Sequence, residues 1–155
     1  MLQAQNLFKT YDGNRQQVAA VAGVSLSVST GEFLAICGRS GSGKSTLLAL
    51  LAGLTAPSGG TVSIDGTDLF ALSGDERTCL RRALIGVVLQ FDGLLPTLRA
   101  IDNVAFPALI ADPARFVSRP LRPDRYPQPR LGFILGGRPA RFKGGERCLL
   151  VAGFY

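Results

Sequence analysis

The chain has 155 residues, of which 46% are hydrophobic and 18% charged, a balance that fits one globular domain with a sizeable core and excludes wholesale disorder. The longest apolar stretch, residues 47–54, is interrupted by Gly53 and is far too short to cross a bilayer. The net charge of +6 is unevenly spread: residues 1–112 carry eight basic and nine acidic side chains, and residues 113–155 carry nine and two.

The N-terminal residues lack a basic segment followed by an apolar one, so no secretory signal is expected. Residues Val24 to Val28 alternate with period two, the mark of a half-buried strand. After Thr30-Gly31-Glu32, the continuous apolar run Phe33 to Cys37 predicts a short strand covered on both faces. A glycine-rich loop follows, then Ser45 to Ala52, rich in helix formers and stopped by Gly53. Pro57-Ser58-Gly59-Gly60 predicts a turn, and Thr61 to Asp65 a strand. Residues 75–83 read as a helix, Ile85 to Leu89 as another buried strand, and Ala100 to Ala105 as a helix ended or kinked by Pro107. Strands alternating with helices predict an α/β layered fold. Cys37, Cys79 and Cys148 are odd in number and far apart, which predicts a reducing compartment and no disulfide framework.

Gly38-Arg39-Ser40-Gly41-Ser42-Gly43-Lys44-Ser45 matches G-x-x-x-x-G-K-[ST], the phosphate-binding P-loop. Glycines let the backbone curl so that successive N–H groups point at phosphate oxygens. The helix that follows adds the positive end of its dipole. Lys44 then neutralises charge on the β- and γ-phosphates, and the Ser45 hydroxyl is placed to ligate Mg²⁺. The motif follows a predicted buried strand and opens a predicted helix, the context that distinguishes it from a Gly/Ser linker.

The run from Gly38 through Ser45, Thr46, Leu47 and Leu48, the stretch Gly53 to Val62, Asp65-Gly66, and Gln90-Phe91 with Leu94 to Leu98 and Asn103-Val104 together resemble the nucleotide-binding subunit of an ABC transporter. The likeness covers residues 2 to about 112 and is nearest the lipoprotein-release and macrolide-export branch. The resemblance implies a P-loop NTPase fold of the ABC type, incomplete at the C-terminus, with ATP and Mg²⁺ as cofactors. It implies that Tyr11 stacks on adenine. It also implies that Gln90 ligates Mg²⁺ beside Ser45, positions water and lies in the loop sensing the membrane partner. Asp92 and Arg99 replace residue types more usual in this branch. Leu72-Ser73-Gly74-Asp75-Glu76 looks like the family signature but precedes Gln90; Ser73 with Glu76 instead fits a capping box opening the helix at 75–83.

From about Pro113 the character changes. Six of the nine prolines fall between residues 113 and 139, a density that breaks any helix. Phe142-Lys143-Gly144-Gly145-Glu146-Arg147 sits where the resemblance places the signature, with Lys143 in place of the usual serine. Gly144 and Gly145 would then face the γ-phosphate of ATP on an opposite subunit; the alternative is a chance Gly-Gly-Glu in a glycine-rich tail. No apolar run ends in Asp-Glu and the chain has no histidine, so the general base and the switch histidine that the resemblance implies are missing. Residues 113–155 read as an Arg/Pro-rich divergent tail, from a shifted reading frame or, alternatively, as a basic tail contacting a membrane surface or nucleic acid.

Taken with the resemblance, these features predict an ATP-hydrolysing energy subunit that forms homodimers in the intact protein. It would lie in the cytoplasm, on the inner face of the membrane through separate transmembrane permease subunits. Nucleic acid is not an expected partner. The alternative is a nucleotide-binding fragment without turnover, or a pseudogene product.

Overall fold

The computed structural model describes residues 1–13, 16–88, 94–111, 131–135 and 148–152. Strand β1 (Leu2–Asp12) forms an antiparallel hairpin with β2 (Gln17–Val28) and pairs on its other side with β4 (Gly59–Ile64), which pairs with β5 (Thr67–Asp68). The order is β2-β1-β4-β5. Register explains the packing. Leu2 stands opposite both Val28 and Ile64, and Ala4 opposite Leu26 and Val62, so one face of the sheet becomes a continuous apolar strip. Leu2, Val28 and Val62 are fully buried, each such side chain contributing about 1.5–3 kcal/mol of transfer free energy. The period-two alternation covers only the Val24 to Val28 part of β2, which begins at Gln17, the strand expected at Thr61 to Asp65 is β4, and β1 and β5 come from the structure alone.

Against this strip lies α1 (Lys44–Leu51), with Leu47, Leu48, Leu50 and Leu51 buried. The helix ends as its sequence dictates. Gly53 adopts φ +65°, its N–H donates to Leu50 O (3.0 Å), and Leu54 N–H donates to Ala49 O (2.9 Å), closing the last carbonyls in a Schellman motif.

A second sheet is wholly parallel, in the order β3-β8-β7-β6: β3 (Phe33–Ile36), β8 (Cys148–Ala152), β7 (Leu131–Leu135) and β6 (Ile85–Val88). Its two inner strands come from the last 43 residues, from two short apolar runs set among arginines and prolines. Composition changes near residue 112, but one compact unit joins Met1–Gln90 with Pro129–Tyr155.

The expectation that Phe33 to Cys37 is covered on both faces is corrected. Leu34 and Ile36 pack against the core with Ile85 and Val87 of β6, whereas Phe33 is 51% exposed and Ala35 and Cys37 are exposed. Among the described residues nothing covers that second face, so the run behaves as an alternating strand. Ile85 and Val87 are likewise only half-buried.

Helix α2 (Gly74–Leu84) opens with the expected capping box. Ser73 Oγ accepts from Glu76 N–H (3.3 Å) and Glu76 Oε2 accepts from Ser73 N–H (3.0 Å). The Ser73 hydroxyl and amide hold the Glu76 carboxyl below its ordinary range.

A second compact unit spans Phe91–Gln128. Its helix α3 (Ala100–Ala111) does not end at Pro107. The proline forfeits one backbone bond, and the first turn is well anchored. Asn103 Oδ1 accepts from Leu95 N–H (2.7 Å), and Asn103 Nδ2 donates to Leu95 O (3.1 Å) and Leu98 O (3.1 Å). Arg99 Nε pairs with Asp102 Oδ2 at 2.7 Å.

Candidate functional site

Gly38 to Ser45 connects the end of β3 to the start of α1. Two of its glycines are required by conformation. Gly43, the N-cap of α1, has φ +85°, and a Cβ there would lie 2.0 Å from Ala20 O; no side chain fits. Gly41 has φ +77° but open space around it, so its need is conformational only. The turn is closed by Ser42 N–H donating to Arg39 O (3.2 Å).

Lys44 is 6% exposed. Its ammonium donates to Gly38 O (2.7 Å), Arg39 O (2.6 Å) and Ser42 Oγ (3.3 Å), the hydrogen bonding that a buried charge demands. The lysine is thus folded back onto its own loop. At the start of α1 no side chain caps the backbone and the first turn holds no acidic residue. The helix N-terminus is therefore left with N–H donors and a positive dipole end, the physical specification of an anion site. Ser45 is exposed beside it, Thr46 is half-buried, and Arg39, Ser40 and Ser42 are exposed. The loop geometry, uncapped helix and buried ammonium fit a polyphosphate.

The adenine candidate, Tyr11, is 46% exposed. It pairs with Val18 across the hairpin. Val18 is two residues from Ala20, whose carbonyl abuts Gly43, so about 7 Å of strand separates the tyrosine's partner from the phosphate loop. Lys9 Nζ lies 5.1 Å from the Tyr11 ring centroid and donates to Ala56 O (2.8 Å). Sequence reading assigned Lys9 no role; its signal was the two-residue spacing that puts Lys9 and Tyr11 on one face of β1. The close approach of Ala20 left no trace in the sequence, because it depends on how β2 meets the loop.

Register also relates the loop to the end of β6. Ile36 pairs with Ala152, Ala152 with Leu135, and Ile134 with Val88. Both strands therefore finish at the same carboxyl edge, about 14 Å apart across three strand spacings, the edge at which α/β sheets bind ligands. Gln90 follows two residues after Val88. Gln90, Gly144 and Gly145 lie outside the described residues. Among the described residues no group of three His, Cys, Asp or Glu side chains gathers to hold a metal, and no helix is long and apolar enough to cross a membrane. A divalent cation here would rest on the Ser45 hydroxyl and on the phosphates of a bound nucleotide.

A parallel sheet with a glycine-rich phosphate loop between strand and helix defines a P-loop nucleotide-binding protein. The ABC transporter family pattern matches residues 21–136, and the chain belongs to that family; the match runs past the change of composition near residue 112. A lipoprotein-releasing system ATP-binding protein, LolD, of Bordetella pertussis is 42% identical over 146 residues, covering 94% of this chain and 63% of the relative. The LolD protein of Pseudomonas syringae pv. tomato is 41% identical over 147 residues, covering 95% and 65%. The chain therefore spans about two thirds, or slightly less, of the length of these relatives. A dimeric structure of the bacterial ABC transporter cassette MJ0796 superposes with a TM-score of 0.75 at 28% identity, covering 88% of this chain and 74% of that one. A post-hydrolysis dimer of the same cassette with ADP and Pi gives a TM-score of 0.80 at 24% identity, covering 99% and 88%, a likeness of fold.

Proposed function

We propose that the chain is the nucleotide-binding part of the ATP-binding subunit of an ABC transporter serving lipoprotein release or a related export. The observation that carries this reading is the loop Gly38 to Ser45 closing onto an uncapped helix, with the Lys44 ammonium held inside it. An incoming triphosphate replaces the loop carbonyls as partner of Lys44, and the N–H groups of the loop and first turn of α1 bind its oxygens. Tyr11 offers a ring face to the base, an interaction of about 1 kcal/mol. Ser45 and Gln90 would hold Mg²⁺, which when bound supplies charge neutralisation to the phosphates. Gln90 would also orient water. Membrane-spanning permease subunits, a second nucleotide-binding subunit, ATP turnover and a place on the inner face of the membrane belong to this proposal.

A second reading, nucleotide binding without turnover, is favoured by one specific observation. Strand β7 reaches the carboxyl edge of the sheet between β3 and β6, yet the residues that follow it are Gly136-Gly137-Arg138. The strand hands on no carboxylate there to act as a base for water. Steady-state phosphate release by the purified chain separates the readings. Release abolished by Lys44→Ala supports the first; Mg-ATP binding with no release above blank supports the second.

A further inference from the structure

We infer that Arg81 is a positioning residue that locks the far end of the phosphate-loop helix to α2 and β6, so that nucleotide held at one end of α1 is felt in the strand leading to Gln90. This rests on the nucleotide reading above. Helix α1 has no basic residue in its last turn, so nothing in its own sequence meets the negative end of its dipole. The cation comes from α2. Arg81 Nη1 donates to Gly53 O at 2.9 Å, at the residue that terminates α1, while Arg81 Nη2 donates to Thr78 Oγ1 at 2.9 Å. Thr78 thereby fixes the guanidinium in place, using the planar fork that distinguishes arginine from lysine.

The fit around Gly53 is close. A Cβ there would lie 3.3 Å from Leu69 Cδ1 and 3.8 Å from the Cδ atoms of both Arg77 and Arg81. Arg77, one turn earlier on α2, covers the Phe70 ring at 5.4 Å from its centroid. Yet α2 contains no fully buried residue and holds the core only through the half-buried Leu80 and Leu84. Apolar packing on this helix is thin, so the two arginines set its position against α1. Because α2 runs directly into Ile85–Val88, a shift of α2 is a shift of β6. A bound phosphate at the N-terminus of α1 and the guanidinium at its C-terminus act on the two ends of one short rigid rod.

Amide hydrogen exchange on the full 155-residue chain, with and without saturating Mg-ATP, tests this. In the unsubstituted chain, nucleotide should slow exchange both in residues 38–47 and in residues 80–88. In Arg81→Ala, protection at 38–47 should persist while the response at 80–88 is lost, and Arg81→Lys should restore part of it. A residue that merely stabilises α2 would lower Tm and leave the nucleotide response of both segments intact; that result overturns the inference, as does an unsubstituted chain that responds only at 38–47. Absence of protection at 38–47 in the unsubstituted chain overturns the nucleotide reading and this inference with it. Should Arg81→Ala fail to fold, Thr78→Ala decides: a weakened response at 80–88 supports the positioning role, and an unchanged one refutes it.

Discussion

The antiparallel sheet and the two outer strands of the parallel one, β3 and β6, are built from similar apolar residues and end in different states. In the antiparallel sheet, Leu2, Leu7, Val28, Val62 and Ile64 are all within 3% of complete burial, sealed by the leucines of α1. Along β3 and β6 the described side chains are half-buried or exposed, and Phe33 presents an aromatic ring to solvent. The difference teaches that register across strands, more than apolar content, decides what becomes core. Leu2, Val28 and Ile64 fall in one row, whereas Phe33 and Ala35 fall on a face that nothing described covers. The phosphate loop follows the half-exposed edge strand β3 and leads into α1, whose leucines share the core of the antiparallel sheet.

Substitutions in the tight sheet, in α1 and on the open face test this contrast. Gly60→Ala in β4 combines φ +85° with a Cβ 2.2 Å from Asn6 O and 2.5 Å from Gln5 O. It should destabilise by about 2–5 kcal/mol, adding left-handed strain to overpacking, as read by urea unfolding. Gly66→Ala at φ +81°, with nothing within 4 Å, should lose only about 1–2 kcal/mol. If the two were equal, the tight sheet would not be tight. Leu48→Ala, at 1% exposure, should lose about 2–5 kcal/mol through its cavity. Phe33→Ser on the open face should lose about 1 kcal/mol or less and raise solubility; a loss matching that of Leu48→Ala would mean the face is covered. Ser73→Ala, removing the α2 cap, should lose about 1 kcal/mol.

The smallest effect is one of pH. The Glu76 carboxyl titrates below its ordinary value of 4.5 because Ser73 donates to its ionised form. A depressed folded-state pKa contributes stability above the unfolded value, and that contribution disappears as pH falls through the folded one. Helical circular dichroism should therefore fall slightly as pH drops below about 4.5, and less so in Ser73→Ala. Equal pH profiles for the two proteins would show that the capping box does not form in solution.

Local signals were legible in the sequence wherever chemistry is local. The phosphate loop, the stop at Gly53, the Ser73/Glu76 box and the strand at Ile85 all depend on residues within a turn of one another. The misreadings arose where distant segments decide. Phe33 to Cys37 read as doubly covered because a continuous apolar run does not say which face finds a partner. Leu131 to Leu135 and Cys148 to Ala152 have the same pattern, but the surrounding arginines and prolines obscured it. Pro107 reads as ending or kinking its helix, and the helix continues through it to Ala111, anchored by Asn103 and the Arg99–Asp102 pair. Of the candidate site, the sequence shows the loop and its place between a strand and a helix. The seat of Gly43 against Ala20, the Lys9 ammonium over Tyr11 and the Arg81 clamp on Gly53 each needed the fold.

On this reading Gly38 to Ser45 cradles a nucleoside triphosphate through Lys44. Calorimetric titration of Mg-ATP into the full chain and into Lys44→Ala, with circular dichroism confirming that both are folded, tests it most directly. The account predicts saturable binding by the unsubstituted chain and none by the variant. Equal binding by both, or no binding by a folded unsubstituted chain, would contradict it.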